Sequence, residues 1–146
     1  IAEKQVDHDF WGRPEEMTMN RTAFKVTTDA PGSDVAGAVS AALSAASIMF
    51  ADLDPVYANQ LLNHSKQLLH FADKYRGLYA ESFPDISQAI YISGTQYEDE
   101  IAWAAIWLYK ATYEEEYLNK TESMLPTMRK GRSWAFGWSQ VDAGVH

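Results

Sequence analysis

The stretch DVAGAVSAALSAASIMFAD, residues 34–52, decides the architecture expected for this chain. Its apolar residues recur at helical spacing, which predicts a helix whose packing face carries Val35, Val39, Leu43, Ala46 and Phe50. APGSD, residues 30–34, precedes it and predicts the helix start, with Ser33 or Asp34 as the capping residue. Because alanine and serine fill most remaining positions, neighbouring helices can approach this one closely.

Three further helices follow from similar signals. Asp54 before Pro55 predicts the start of the second helix, and Gly77 predicts its end. The apolar face expected for this helix consists of Leu61, Leu62, Ser65, Leu68, Leu69 and Ala72. Acids in the first turn favour a third helix over residues 97–112, and a fourth extends from about residue 114 to residue 126. Residues 1–32, 78–96 and 131–146 read as loops, with a short extended piece at 22–27.

The helices repeat along the chain. The repeating unit is a helix, a short acidic link and a second helix that begins with a tyrosine. A shift of 60 residues aligns its two copies, with these matches: Ala42 with Ala102, Ala45 with Ala105, Ala51 with Ala111, Asp54 with Glu114 and Tyr57 with Tyr117. A recurring helix pair cannot bury its apolar faces alone and predicts a solenoid or a closed ring of helical hairpins. Such arrays usually hold three or more copies, so we expect these 146 residues to be a fragment of a single larger domain.

Composition narrows the possible partners. The net charge of −8 and the pI of about 4.8 argue against nucleic acid and anionic membranes, which select basic surfaces. We expect no membrane-spanning segment, because no apolar run approaches the roughly 18 residues that one needs. The absence of cysteine excludes disulfides, thiol nucleophiles and cysteine-based zinc sites. Metalloprotease, nucleophile-elbow and phosphate-loop motifs are also missing.

Two segments are candidate sites from residue type alone. DHDFWGRPEEM, residues 7–17, combines His8 and Trp11 in a way that suits a sugar, with an aromatic face for the ring and an imidazole for a hydroxyl. The alternative is structural: Trp11 packs under the loop, which Pro14 makes rigid. QYEDE, residues 96–100, offers hard oxygen ligands of the kind calcium prefers, but it also fits a charged first helical turn. The glycosylation sequon occurs at residues 20–22, 63–65 and 119–121, and the last two lie on predicted helices.

A family resemblance rests on long collinear motifs. DHDFWGRPEEMTMNRTAFKV, PGSDVAG with SAALSAASIMF, YRGLY and YEDEIAWAAIWLYKAT, which together span about residues 7–118, resemble glycoside hydrolase family nine. That family comprises cellulases, mostly secreted endo-β-1,4-glucanases. The resemblance implies an all-α fold, part of an (α/α)6 barrel of six helical hairpins, of which this chain is about a third. It also implies a β-1,4-glucan substrate.

The chemistry implied by the resemblance is hydrolysis with inversion. One carboxylate activates a water and another protonates the leaving oxygen, and the two lie about 6.5–9.5 Å apart. The family's base and its partner belong to an upstream DAGD motif, and its acid is a glutamate near the far C-terminus. Neither matches a position here, so we expect no catalytic residue in this chain. The DAG at residues 142–144 is a decoy, because Val145 replaces the second aspartate.

Residue by residue, the resemblance carries over two groups of positions. His8, Trp11, Tyr91 and Trp134 match residues of the glucan cleft. Thr95, Gln96, Asp99 and Glu100 match a structural calcium site found in many members, which makes calcium the one implied cofactor. Ser139 stands where some members complete that site with aspartate, so calcium binding is in question here.

Two other interpretations stay open. The chain could act alone as a non-catalytic helical module that grips carbohydrate without cleaving it. It could also be a truncated product that needs missing helices to fold well. The sequence does not define an oligomeric state.

Overall fold

The structure, a computed structural model, describes residues 4–84, 95–128, 136–137 and 140–145. In these residues six α-helices occur: α1 Lys4–Asp9, α2 Ser33–Phe50, α3 Pro55–Lys74, α4 Tyr79–Ser82, α5 Glu98–Thr112 and α6 Glu115–Met124. Short 3-10 turns cover Pro14–Glu16 and Asp142–Gly144. The same residues contain isolated β-bridges but no β-strand, which confirms the predicted all-α class.

The helix starts are set by local chemistry. The Asp54 side chain caps α3 as predicted, because it accepts a hydrogen bond from the Tyr57 backbone N–H at 3.0 Å. The cap predicted for α2 is wrong, since neither Ser33 nor Asp34 caps that helix and Gly32 occupies the position before it. Both side chains turn to distant segments instead. Ser33 Oγ donates to the Ala72 carbonyl at 2.7 Å, and Asp34 Oδ1 accepts from the Tyr79 N–H at 3.2 Å.

The end of α3 also differs from the prediction. The helix ends at Lys74 rather than at Gly77. Gly77 serves a different purpose, because a Cβ at this position would lie 2.6 Å from Pro31 Cγ. The Ser33 N–H donates to the Gly77 carbonyl at 2.7 Å. Gly77 therefore allows the segment after α3 to cross closely over the start of α2.

The packing face predicted for α2 is wrong. Val39 and Phe50 are 44% and 37% exposed, and the buried face consists of small residues instead: Ser33, Asp34, Ala36, Gly37, Ser40, Ala41, Ser44 and Ser47. Ser65 of α3 meets this face, with its Oγ 2.9 Å from Ser40 Oγ and 2.6 Å from Ser44 Oγ. Small side chains let the two helices approach until their hydroxyls satisfy one another, which the larger apolar residues would prevent.

The second hairpin packs beside the first. Helix α5 contacts α2, α3 and α6, so it lies at the centre of the core. Its inner residues are fully buried: Ile101, Ala102, Ala104, Ala105 and Leu108. The apolar face predicted for α3 is largely confirmed, since Leu61, Ser65, Leu69 and Ala72 are buried. Two hairpins in contact agree with the repeat read from the sequence.

Ion pairs join the hairpins at their outer helices. Lys66 of α3 reaches Glu114 at 2.8 Å, and Lys120 of α6 reaches Asp73 of α3 at 2.6 Å. Burial works to raise the pKa of Asp73, but hydrogen bonds from Lys120 and Arg76 outweigh it and hold that pKa below its usual value. Because these groups are partly exposed, each pair contributes little to stability on its own.

The expectation about membrane-length helices needs a correction. Helix α2 has 18 residues with a mean hydropathy of 1.4, so by length and composition it could cross a membrane. Its buried hydroxyls argue for a different role, because Ser40 and Ser44 bond to Ser65 of the neighbouring helix. This pattern is that of a core helix.

All three predicted loops contain helical turns, including the 3-10 turn Asp142–Gly144 in the loop 131–146. Residues 1–32 were expected to be irregular, yet α1 and the 3-10 turn Pro14–Glu16 occur there. Helix α4 occurs at the start of the predicted loop 78–96. These elements have six residues or fewer, which is too short for a periodic apolar pattern. The rest of the described N-terminal region lacks helix and strand, apart from an isolated bridge at Ala23.

Candidate functional site

The N-terminal segment presents the two predicted sugar-binding side chains. His8 lies in the last turn of α1 and is exposed, and Trp11 follows the helix with a fully exposed side chain. A fully exposed tryptophan is unusual in a folded chain, because burial of its large apolar surface is normally favourable. The structural alternative for Trp11, packing under the loop, is therefore wrong.

A different aromatic residue packs against this loop. Phe10 is half-buried, and its ring lies over Gly12, where an added Cβ would come within 2.7 Å of the ring atom Cζ. Pro14 starts a 3-10 turn in which the Met17 N–H donates to the Pro14 carbonyl at 3.2 Å. Phe10 is thus partly covered by its own loop, whereas Trp11 stays exposed on a short, locally bonded loop.

The other predicted cleft residues are not placed. Tyr91 and Trp134 lie outside the described residues, as does Ser139 of the implied calcium site. Whether four aromatic and imidazole side chains converge on one cleft stays a prediction.

The predicted calcium residues fall into two environments. Asp99 and Glu100, in the first turn of α5, are 1% and 4% exposed. Thr95 is exposed and Gln96 is half-buried. Asp99 already has partners, since its Oδ2 accepts from the Val141 N–H at 3.0 Å and its Oδ1 accepts from Gln96 Nε2 at 3.3 Å. Asp99 therefore ties the C-terminal turn to the start of α5.

Glu100 is the most perturbed acid in the described residues. Burial, followed by the charge of Asp99 and a hydrogen bond with Asp99, raises the pKa of Glu100 to about 9. Its Oε2 atom is buried and has no hydrogen-bond partner. At neutral pH the Glu100 side chain is therefore protonated and neutral.

Asp34 joins this cluster, and the sequence did not indicate it. Its charge contributes to the raised pKa of Glu100, and burial raises its own pKa. One of its oxygens, Oδ2, is buried without a partner. The signal that could have found it is an acid between small residues in SDVAGA, where a capping role was assumed instead. The first turns of α2 and α5 thus bring three buried acids together: Asp34, Asp99 and Glu100.

The cluster fits calcium only in part. Carboxylate oxygens are suitable ligands, and Glu100 Oε2 has no hydrogen-bond partner of its own. However, both oxygens of Asp99 already accept hydrogen bonds. Within residues 4–84, 95–128, 136–137 and 140–145, no group of three or more His, Asp and Glu side chains is arranged to hold a metal ion.

The DAG sequence near the end of the chain forms a 3-10 turn packed beside α5. Asp142 is 6% exposed, and a Cβ on Gly144 would lie 2.7 Å from the Phe136 ring. The buried side chain of Asp142 has no access to a polysaccharide. This placement agrees with its interpretation as a decoy.

Comparison with known proteins places the chain in a family. The family model described as Glycosyl hydrolase family 9 matches residues 1–146. Endoglucanase 19 of Arabidopsis thaliana is 45% identical over 99% of this chain and 23% of its own length. Endoglucanase 7 of Oryza sativa subsp. japonica is 44% identical over 99% of this chain and 28% of its own length. The chain therefore spans about a quarter of the length of these relatives.

Solved structures give the same result for the fold. The endoglucanase of the termite Nasutitermes takasagoensis matches with a TM-score of 0.90 and 44% identity, over 98% of this chain and 33% of the termite chain. Endoglucanase CelQ of Clostridium thermocellum, solved with cellotriose, matches with a TM-score of 0.81 and 29% identity, over 99% of this chain and 23% of CelQ. The prediction that the chain forms part of an (α/α)6 barrel is confirmed. The chain belongs to glycosyl hydrolase family 9.

Proposed function

We propose that this chain forms part of the substrate-binding surface of an endo-β-1,4-glucanase that is secreted and cleaves with inversion. Trp11 offers a flat apolar face to a glucose ring, and His8 bonds a sugar hydroxyl. Tyr91 and Trp134 are proposed as further contacts on the same glucan chain. The observation that carries this proposal is the complete exposure of Trp11 beside a half-buried Phe10.

The physical case rests on the apolar surface that Trp11 presents. Covering a fully exposed tryptophan with a ligand removes a large apolar area from water, which is favourable by roughly 2 kcal/mol or more. Aromatic rings with one apolar face and a polar edge are well suited to contact amphipathic ligands such as sugars. The complex of CelQ with cellotriose supports a cello-oligosaccharide as the ligand class.

Calorimetric titration with cellotetraose tests this proposal. The unaltered chain is expected to release heat that saturates at millimolar ligand, and Trp11→Ala is expected to abolish it. Tyr113→Asn is the matched control, because Tyr113 is also a highly exposed aromatic residue, and asparagine tolerates its left-handed backbone at φ 59°. Equal binding by all three proteins, or by none, would overturn the proposal.

The chain alone is proposed to bind without hydrolysing. Inverting hydrolysis needs an acid and a base about 6.5–9.5 Å apart across the scissile bond. The resemblance matches neither the base nor the acid of the family to a position in this sequence, and Asp142 is buried. Pure chain incubated with soluble cellulose is expected to release no reducing sugar. Release that is lost in Asp9→Asn would show that the N-terminal acids are catalytic.

Calcium at Thr95, Gln96, Asp99 and Glu100 is a second, separate proposal. The unpartnered Glu100 Oε2 favours it, because a buried carboxyl oxygen can accept either a proton or a cation. Calcium would have to displace the proton of Glu100, so binding should strengthen as the pH rises. A melting temperature that rises with millimolar calcium at pH 8 would support the site. No change at pH 8 in the wild type and in Glu100→Gln would exclude it.

A further inference from the structure

Three sequons in this chain differ in their backbone. The acceptor signal N-x-[ST] occurs as NRT at 20–22, NHS at 63–65 and NKT at 119–121. Modification requires that one enzyme site reach both the asparagine amide and the hydroxyl two residues later. The conformation of the backbone decides whether these two groups lie on the same side of the chain.

Helical backbone separates the two groups. Side chains two positions apart on a helix do not face each other. In α3, Asn63 is exposed whereas Ser65 is fully buried, and Ser65 Oγ donates to the Ser40 carbonyl at 2.8 Å. In α6, Asn119 is exposed whereas Thr121 is 4% exposed, and Thr121 Oγ1 donates to the Tyr117 carbonyl at 2.9 Å. In the folded chain, both hydroxyls are therefore committed to the core.

The first sequon has the opposite arrangement. Asn20, Arg21 and Thr22 are all exposed, and none of them belongs to a helix. Because Thr22 is exposed and lies outside a helix, its hydroxyl is not buried in the core as those of the other two sequons are. Two residues further on, Phe24 is half-buried and its ring centroid lies 6.0 Å from that of Phe83, which anchors the segment at its C-terminal side. The acceptor segment thus lies on the surface with a fixed end.

We propose that Asn20 is the N-glycosylation site of this chain. The donor is a lipid-linked oligosaccharide diphosphate of a eukaryotic secretory compartment, since the proposed family function is extracellular. A bond forms between Asn20 Nδ2 and the anomeric carbon of the first sugar. The bond from that carbon to the diphosphate breaks, the lipid diphosphate leaves, and one amide proton passes to base.

The glycan would sit beside the proposed glucan-binding segment. Asn20 follows the 3-10 turn Pro14–Glu16 that closes the loop carrying Trp11. A large, hydrated group there can be accepted without burying polar atoms, because Asn20, Arg21 and Thr22 are already exposed.

The test is expression of residues 1–146 behind a cleavable secretion signal in a eukaryotic secretory host. Peptide mass spectrometry after enzymatic deglycosylation, which converts a modified asparagine to aspartate, reports each sequon separately. Cleavage of the secretion signal shows that a chain has entered the secretory compartment. Glycosylation is therefore measured in all signal-cleaved chains, both those retained in the cell and those secreted. The expected result is conversion at Asn20, abolished by Asn20→Gln and by Thr22→Ala and retained in Asn63→Gln and Asn119→Gln.

A second arm uses the purified, folded chain with an isolated oligosaccharyltransferase and the lipid-linked donor. Only Asn20 is expected to react, because the other two sequons lie in helices. Signal-cleaved chain without a glycan at Asn20, or modification of the folded chain at Asn63 or Asn119 in preference to Asn20, would overturn the proposal. These readouts do not depend on sugar binding by Trp11, so the two proposals can fail separately.

Discussion

The hairpin core and the N-terminal segment use their side chains in opposite ways. In the core, α2 and α3 approach through serines whose hydroxyls are all paired, such as Ser40 with Ser65. In the N-terminal segment, Trp11 offers the largest side chain of the region wholly to solvent. The core buries small polar groups, whereas the segment keeps a large apolar side chain exposed. This difference separates the part that holds the fold from the part proposed to bind substrate.

The largest change in the free energy of unfolding is expected from a substitution of Ser65 in the core. Ser65→Leu would force a large side chain between α2 and α3 and leave the Ser40 and Ser44 hydroxyls without their shared partner. We expect a loss of about 3 kcal/mol or more in the free energy of unfolding. Chemical denaturation measures it. His64→Leu, at the neighbouring exposed position of α3, is the control and should change stability by less than about 0.5 kcal/mol.

Gly37 tests the close contact between α2 and α5. A Cβ there would lie 2.8 Å from the Glu100 carbonyl oxygen, which is backbone and cannot move aside cheaply. Alanine normally stabilises a helix interior relative to glycine by roughly 1 kcal/mol, so the sign of the effect is diagnostic. Gly37→Ala is expected to destabilise by about 1–3 kcal/mol in a thermal melt. Gly137→Ala is the control, because a Cβ at that position would meet nothing within 4 Å. If Gly37→Ala changes stability no more than this control, or stabilises the chain, the packing described is contradicted.

Glu100 gives the core a pH dependence. Its pKa is about 9 in the folded chain against an ordinary 4.5, so the folded state binds the proton more tightly than the unfolded state. Its contribution to stability is full below pH 4.5 and declines as the pH rises towards 9. We expect stability between pH 6 and pH 8, without calcium, to fall by about 1 kcal/mol or somewhat more per unit. Glu100→Gln should flatten that slope, and a slope equal to wild type would show that another group causes it.

The smallest expected effect on stability is at Trp11. Because the side chain is fully exposed, Trp11→Ala should change the free energy of unfolding by less than about 0.5 kcal/mol. Denaturant titration followed by far-UV circular dichroism measures it without relying on tryptophan fluorescence. A loss of 2 kcal/mol or more would show that Trp11 is a packing residue after all.

The sequence predicted helix starts better than helix faces. Asp54 with Pro55 and the acids in the first turn of α5 are local signals, and they located the starts of their helices closely. The face of α2 was wrong because apolar periodicity selects large residues such as Val39, whereas close packing selects the serines opposite Ser65. That choice depends on the neighbouring helix, which no local pattern contains.

The candidate site, too, was predictable from the sequence only in part. His8 and Trp11 could be named from residue type and family resemblance, and the exposure of Trp11 then removed the packing alternative. The buried cluster could not be foreseen as a whole, because Asp34 and Glu100 are far apart in sequence and meet only when α2 packs on α5. Tyr91 and Trp134 stay predictions.

The separation of fold from binding can be tested in one measurement: the melting temperature with and without saturating cellotetraose, in the unaltered chain and in Trp11→Ala. A ligand at about ten times its dissociation constant stabilises by roughly 1.4 kcal/mol, which raises the melting temperature of a domain this size by a few degrees. We predict equal melting temperatures without ligand and a rise only in the unaltered chain. The account would be contradicted if Trp11→Ala had a lower melting temperature than the unaltered chain without ligand. It would also be contradicted if cellotetraose raised both melting temperatures equally.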